Sequence, residues 1–203
     1  MTKVIVFDLG GVLIPEKGDY IAENISDILG VSLEHYHESL KGIRDKTTTG
    51  EITLLEMYRL LIEKLGKDND AKILYDKHFE LYEQSSTAID PQIVELIRRL
   101  KKNYKVVSLT NTEKEIAKFN QDRGLFDIFE KSYISCDIGL KKPGEEIYRR
   151  MLDDLGVDSE NTLFIDNDRS YVNGAEKVGI PSLLFTGYRN LMKELKLNEV
   201  NLS

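Results

Sequence analysis

The sequence predicts an α/β fold, a doubly wound parallel sheet interrupted by an inserted α-helical bundle. The run Val4-Ile5-Val6-Phe7 is apolar and mostly β-branched, which is typical of a strand buried on both faces. From residue 85 onwards, strand and helix patterns alternate, as they do in parallel sheets with helices on both faces. Between these two regions, residues 19–84 show helical spacing and no strand, which predicts a small bundle.

Length and composition limit the function classes. The 203 residues fit one domain of ordinary size, or a core that carries an insertion, and 41% are hydrophobic. The net charge of −7 argues against a nucleic-acid binder. The single cysteine, Cys136, excludes a disulfide framework and a cysteine zinc site. No apolar run is long enough for a signal peptide or a membrane span, so we expect a cytoplasmic protein.

The inserted bundle is predicted from four successive helical patterns. Apolar residues recur at helical spacing in segments around 21–29, 33–40, 54–65 and 73–81. Gly30 and Gly66 follow two of these segments as stop signals, and Ser32 is suited to cap the second helix. We therefore expect a helical domain over residues 16–84 and a core formed by residues 1–15 and 85–203.

The remaining elements of the core follow in alternation. Asp90-Pro91 supplies an N-cap and a proline at the first helical position, so a helix begins there. Strands are predicted over residues 104–109, 132–136, 162–165 and 182–185. Helices are predicted over residues 113–122, from Pro143 to 155, over 172–178 and over 191–195. Cys136 lies on the second of these four strands and is expected to be a small buried residue.

Polar groups follow the predicted strands at their carboxyl ends, where open α/β sheets bind ligands. These groups are Asp8, Thr110-Asn111 and Asp166-Asn167-Asp168, with Lys142 in a loop after the strand at 132–136. A carboxylate can attack phosphorus to form an aspartyl-phosphate, and oxygen ligands hold Mg²⁺. A hydroxyl and an ammonium group can bind the phosphate oxygens. The set therefore predicts a site for a phosphoryl group and a divalent cation.

Each group has a simpler interpretation when it is taken alone. Asp8 is also suited to a turn, Thr110-Asn111 to a turn or helix cap, and Lys142 to the solvated surface. Asp168 could contribute to the metal site or cap the following helix, and the capping interpretation is slightly favoured. Each of the four groups follows a separate buried strand in the sequence. Chance rarely produces that arrangement, so it favours the catalytic interpretation.

These motifs resemble those of the haloacid dehalogenase-like (HAD) hydrolase superfamily, in particular small phosphatases with a helical bundle cap. The matching segments are VIVFDLGGVL at 4–13, SLTNT at 108–112, GLKKP at 139–143 and LFIDND at 163–168. The resemblance covers essentially the whole chain. It implies that the inserted helices form a cap that closes over the active site and selects the substrate.

The resemblance also implies residue roles. Asp8 would be the nucleophile, Thr110 the second-motif hydroxyl and Lys142 the third-motif lysine. Thr110, Asn111 and Lys142 would bind phosphate. The resemblance further implies Mg²⁺ as cofactor, with its ligands drawn from Asp8, the carbonyl of Gly10, Asp166 and Asn167.

Two positions depart from the pattern of the superfamily. Gly10 stands where most of its phosphatases carry an aspartate that acts as general acid and base, and such assistance contributes roughly 10²–10⁴ in rate. Asn167 stands where relatives commonly have a second consecutive acid, so the site has one negative charge fewer for Mg²⁺. The carbonyl of Gly10 and the amide oxygen of Asn167 still offer metal ligands.

These residues leave three functions open. The leading hypothesis is a Mg²⁺-dependent phosphatase acting on a small phosphorylated metabolite through an aspartyl-phosphate. The alternatives are a carbon–halogen hydrolase of the 2-haloacid dehalogenase type and a weakly active or inactive member that acts by binding. The substrate and the oligomeric state are not predicted. By position in the insert, the candidates for substrate contact are His35, His37, Arg44, Tyr58 and His78.

Overall fold

A computed structural model describes residues 2–15 and 17–202. These residues form a sheet of five parallel strands, in the order β3-β2-β1-β4-β5. The strands are β1 (Val4–Phe7), β2 (Lys105–Thr110), β3 (Lys131–Ile134), β4 (Thr162–Asp166) and β5 (Ser182–Leu184). Strand β1 therefore lies at the centre of the sheet. Strands β2 and β3 extend the sheet on one side, and β4 and β5 extend it on the other. This is the doubly wound parallel sheet that the sequence predicts.

The central strand β1 sets the alignment of its two neighbours. Phe7 is in register with Ser108 of β2 on one side and with Ile165 of β4 on the other. The three strands consequently end within two residues of one another at one edge of the sheet.

Burial on both faces explains the continuous apolar run in β1. Ile5 and Phe7 belong to the core cluster on one face, whereas Val4 and Val6 belong to the cluster on the opposite face. Because side chains alternate along a strand, a strand covered on both sides needs apolar residues at every position. All four residues are at most 1% exposed.

The insert contains five consecutive helices, one more than the sequence predicts. They are α1 (Tyr20–Leu29), α2 (Leu33–Leu40), α3 (Ile43–Thr48), α4 (Leu54–Leu65) and α5 (Ala71–Ser85). Their apolar faces pack into a cluster of their own, separate from the two clusters that cover the sheet. The additional helix, α3, is short and mostly polar, so it has no apolar periodicity. The division into a cap at 16–84 and a core at 1–15 and 85–203 stays a prediction.

The helices of the core cover the sheet. They are α6 (Pro91–Leu100), α7 (Lys114–Asp122), α8 (Ser135–Ile138), α9 (Glu145–Leu155), α10 (Arg169–Lys177) and α11 (Tyr188–Leu197), and all of them except α8 lie in the predicted places. Asp90 caps α6 through a hydrogen bond from the amide of Gln92, with Pro91 at the first position. Two short 3₁₀ turns, Leu125–Ile128 and Ser159–Asn161, precede β3 and β4.

Two predicted boundaries in the third motif region are wrong. The strand predicted over 132–136 ends at Ile134, and Cys136 lies in the single helical turn α8, where it is nevertheless buried. Gly139 then adopts a left-handed conformation with a φ of 77°. The helix predicted to begin at Pro143 begins at Glu145 instead.

The insert contacts the core through α3, α4 and α5, the last by a hydrogen bond from Asn120 on α7 to the Tyr82 hydroxyl. The Ser135 hydroxyl donates a hydrogen bond of 2.8 Å to the carbonyl of Thr48. The amide of Leu54, at the N-terminus of α4, donates a bond of 3.0 Å to the carboxylate of Glu115 on α7. These bonds fix the insert beside the carboxyl end of the sheet. Within residues 2–15 and 17–202, every helix is too short or too polar to cross a lipid bilayer.

Candidate active site

Three buried strands bring their terminal polar residues to one edge of the sheet. Asp8 directly follows β1, Thr110 is the last residue of β2, and Asp166 is the last residue of β4. All three are at most 6% exposed. The buried strands therefore hold two carboxylates and a hydroxyl close together on a rigid frame, as the sequence predicts.

Lys142 completes this group from the loop between α8 and α9. Its Nζ lies 2.8 Å from Oδ1 of Asp8 and 2.6 Å from Oδ2 of Asp166, and the residue is 1% exposed. Burial alone would lower the pKa of Lys142, but the two carboxylates outweigh it and raise that pKa. The lysine is therefore held as a cation between the two aspartates and is not a surface residue.

Asp166 is completely buried, and both of its carboxylate oxygens are engaged. Oδ2 accepts the bond from Lys142, and Oδ1 accepts a bond of 2.8 Å from the amide of Asp168. Burial raises the pKa of Asp166, and the charge of Asp8 adds to the rise, while Lys142 opposes it. Each oxygen retains a second lone pair, so the carboxylate can still bind a metal ion.

Asn111 holds the main chain of Lys142 in place. Its Nδ2 donates to the carbonyl of Lys142, and its Oδ1 accepts from the amide of the same residue, both at 2.9 Å. Asn111, which is predicted to bind phosphate, is thus both donor and acceptor to the main chain of Lys142. It also lines a cavity together with Asp8 and Thr110. Its observed contacts position Lys142, and its contact with phosphate stays a prediction.

Tyr171 belongs to the site, but the sequence analysis does not identify it. The centre of its ring lies 4.8 Å from Nζ of Lys142, which is cation–π distance, and its hydroxyl accepts a bond of 3.3 Å from Nδ2 of Asn111. Its carbonyl accepts a bond of 2.7 Å from the hydroxyl of Tyr148. Its proximity to the fourth motif, five residues after Asp166, was the available signal.

Three of the four predicted metal ligands border one cavity of about 490 Å³, whereas the fourth, Asp166, is completely buried and does not line it. Asp8, Gly10 and Asn167 line it together with Thr110 and Lys142. The side chain of Asn167 packs over Gly11, where an added Cβ would lie 2.2 Å from its Nδ2. Gly11 therefore leaves the space that the side chain of Asn167 occupies.

Asp168 caps α10, which is the alternative that the sequence analysis favours. Its carboxylate accepts a bond of 2.7 Å from the amide of Ser170 and another of 2.6 Å from the Ser170 hydroxyl. A carboxylate at a helix N-terminus also interacts favourably with the helix dipole.

The donor set fits Mg²⁺ better than a transition metal. The described residues contain no group of three or more His, Cys, Asp or Glu side chains that could hold a metal ion. Mg²⁺ in phosphoryl-transfer sites commonly uses one or two carboxylates together with water and substrate phosphate. Asp8 and Asp166, supplemented by oxygens of Gly10 and Asn167, meet that requirement.

Sequence comparison agrees with this geometry. The model of the haloacid dehalogenase-like hydrolase family matches residues 2–198. The chain belongs to this family. As a member of the haloacid dehalogenase-like hydrolases, it is an enzyme of the hydrolase class, and its parallel sheet is the fold of that family.

Relatives of this haloacid dehalogenase-like hydrolase include a phosphatase. The chain is 26% identical over 191 residues to the D-ribitol-5-phosphate phosphatase of Bacteroides thetaiotaomicron, covering 88% of this chain and 89% of the relative. A predicted HAD-like hydrolase from Porphyromonas gingivalis has a similar structure, with a TM-score of 0.81, 26% identity, and coverage of 99% and 100%. A HAD family enzyme from B. thetaiotaomicron, solved with magnesium and inorganic phosphate, has a TM-score of 0.76, 26% identity, and coverage of 94% and 99%.

Proposed function

We propose that this protein is a Mg²⁺-dependent phosphatase that hydrolyses a small phosphorylated metabolite through an aspartyl-phosphate. The observation that carries the proposal is the position of Lys142, whose Nζ contacts both Asp8 and Asp166 at the ends of two parallel strands. This arrangement pairs a carboxylate nucleophile with a cation that can bind the oxygens of the phosphate.

The first step transfers the phosphoryl group to the protein. A carboxylate oxygen of Asp8 attacks phosphorus, an O–P bond forms, and the bond from phosphorus to the leaving alcohol breaks. The leaving oxygen takes a proton from water, because Gly10 has no side chain to supply one. Thr110 and Lys142 bind non-bridging phosphate oxygens, and Asn111 keeps Lys142 in position for this contact.

The second step releases phosphate. A water molecule hydrolyses the aspartyl-phosphate, which frees inorganic phosphate and restores the carboxylate of Asp8. The residues that would hold Mg²⁺ are Asp8, Gly10, Asp166 and Asn167, and the ion supplies positive charge that partly neutralises the phosphate.

The similarity to a D-ribitol-5-phosphate phosphatase makes a polyol phosphate the first substrate to test. The assay measures phosphate release from D-ribitol 5-phosphate and from 4-nitrophenyl phosphate, with Mg²⁺ and with excess chelator. We expect release that depends on Mg²⁺ and disappears in Asp8→Asn. Release of halide from a 2-haloacid without metal would instead support a dehalogenase. Absence of both activities would support a member that acts by binding alone.

A further inference from the structure

A second cavity adjoins the catalytic one and lies between the inserted helices and the core. Its volume is about 320 Å³, at the lower end of the range of roughly 300–1,000 Å³ that is usual for small-ligand sites. Gly10, Thr110 and Asn111 line both cavities, so the two spaces share a wall at the ends of β1 and β2. A phosphate bound in the first cavity would therefore leave the second cavity open to the rest of the ester.

Most polar groups that line the second cavity bind other protein groups. Nδ1 of His78 lies 2.8 Å from the hydroxyl oxygen of Tyr58. The Tyr82 hydroxyl accepts a hydrogen bond of 2.8 Å from Nδ2 of Asn120. These contacts hold the side chains of the wall in place.

Of the four Lys, Arg, Asp and Glu side chains that line this cavity, two also bind other protein groups. Lys17 donates a bond of 3.0 Å to the carbonyl of Gln84, and Asp19 lies 3.5 Å from Nε2 of His37. Within residues 2–15 and 17–202, the other two, Arg44 and Glu113, form no side-chain hydrogen bond or ion pair with another residue.

Arg44 and Glu113 come from the two sides of the cavity. Arg44 lies on α3, which the bond from Ser135 to Thr48 fixes to the core. Glu113 follows the end of β2 by three residues, at the N-cap position of α7. Burial raises the pKa of Glu113, and the positive charge of Arg44 opposes that rise, so the two groups interact electrostatically.

We propose that Arg44 and Glu113 together bind the leaving alcohol of the substrate and select for a neutral, hydroxylated one. The inference rests on the proposed phosphatase function. A hydroxyl group can accept from the guanidinium and donate to the carboxylate. A leaving group with a carboxylate would be repelled by Glu113, and one with an ammonium group by Arg44, so each charge selects against one charged class.

Three phosphate esters separate this role from a general effect on catalysis. Glycerol 3-phosphate and propyl phosphate have the same carbon chain and differ by two hydroxyl groups, so the ratio of their kcat/KM values measures hydroxyl recognition. 4-Nitrophenyl phosphate reports the chemistry of the site with a leaving group that carries no hydroxyl. We expect the wild-type ratio to favour glycerol 3-phosphate.

The variants Arg44→Met and Glu113→Gln should each lower that ratio by about 10-fold or more, as expected for loss of a hydrogen bond to a charged group. Arg44→Lys, which keeps the charge, should restore part of it. Arg59→Met and Glu34→Gln make the same chemical changes at exposed positions of the insert and should keep the wild-type ratio. Activity on 4-nitrophenyl phosphate confirms that each variant is folded.

Three outcomes would overturn the inference. A wild type that cleaves the esters but does not prefer glycerol 3-phosphate refutes it and leaves the phosphatase function intact, as does an unchanged ratio in variants that keep their activity on 4-nitrophenyl phosphate. A wild type that releases phosphate from none of the esters with Mg²⁺ refutes the phosphatase function, and this inference with it.

Discussion

Gly10→Asp tests whether the proposed phosphatase reaction proceeds without a general acid two residues after Asp8. The structure allows the substitution, because a Cβ at Gly10 would have no atom within 4 Å and its φ is outside the left-handed region. Gly10 borders both cavities, so the new carboxyl group would lie where the two spaces meet. The variant thus adds a proton donor, and its Cβ displaces no other atom.

The size of the effect depends on the leaving group. General acid catalysis contributes roughly 10²–10⁴ in rate, which corresponds to about 3–5 kcal/mol of barrier. An aryl oxygen leaves readily as an anion and needs little of this help, whereas an alkyl oxygen needs most of it. We therefore expect Gly10→Asp to raise kcat/KM for propyl phosphate by up to about 10²-fold, and for 4-nitrophenyl phosphate by less than about 10-fold.

The assay is a plot of kcat/KM against leaving-group pKa for a graded series of phosphate esters. The wild type should give a steep slope and Gly10→Asp a shallower one. Gly10→Asn is the matched control, because it fills the same space without an ionisable proton and should keep the steep slope. A shallow slope that is the same in wild type and Gly10→Asp would show that another group already donates the proton.

The remaining predictions address other parts of the site and the insert. Asp8→Asn should abolish phosphate release while circular dichroism stays that of the wild type, because the amide cannot attack phosphorus; substantial residual turnover would refute the nucleophile assignment. Asn167→Asp should tighten Mg²⁺ in a metal titration of activity, since it restores a negative charge, and an unchanged midpoint would place residue 167 away from the metal. Tyr171→Leu should lower kcat/KM by about 10-fold through loss of the ring over Lys142, whereas Tyr171→Phe should change it by less than about 3-fold; equal losses would assign the effect to the hydroxyl. Burial lowers the pKa of His78 from 6.5 to about 4, so the unfolded chain binds more protons below pH 6.5 and stability falls as the pH drops towards 4. Urea unfolding should show the wild type losing about 2 kcal/mol more than His78→Asn between pH 7.5 and pH 5, and equal losses would contradict this.

The sequence predicts the sheet and the polar residues at its strand ends because both depend on local patterns. The run at Val4–Phe7 has to be apolar at every position to be buried on both faces, and the polar residue that follows it lies at the ligand-binding edge. Asp8, Thr110 and Asp166 were found in this way, and the structure brings them together.

Other features depend on contacts between distant segments and were not predictable. Helix α3 has little apolar character and is stabilised by its contacts with α4 and with the core, so no periodicity reveals it. Tyr171 and Glu113 look like ordinary helix residues in the sequence. Their relation to Lys142 and Arg44 arises from the packing of helices onto the sheet, which one sequence does not encode in a readable pattern.

Because Lys142 is buried between two aspartates, removing the lysine destabilises the site more than neutralising one of the aspartates. If one carboxylate is neutralised, the lysine still has the other as a partner, and the charges balance. If the lysine is removed, two buried carboxylates face each other without a cation, and breaking a buried pair in this way costs about 3–5 kcal/mol. Loss of Asp8 alone therefore leaves a balanced pair of Lys142 and Asp166, whereas loss of Lys142 alone leaves two buried carboxylates without a cation.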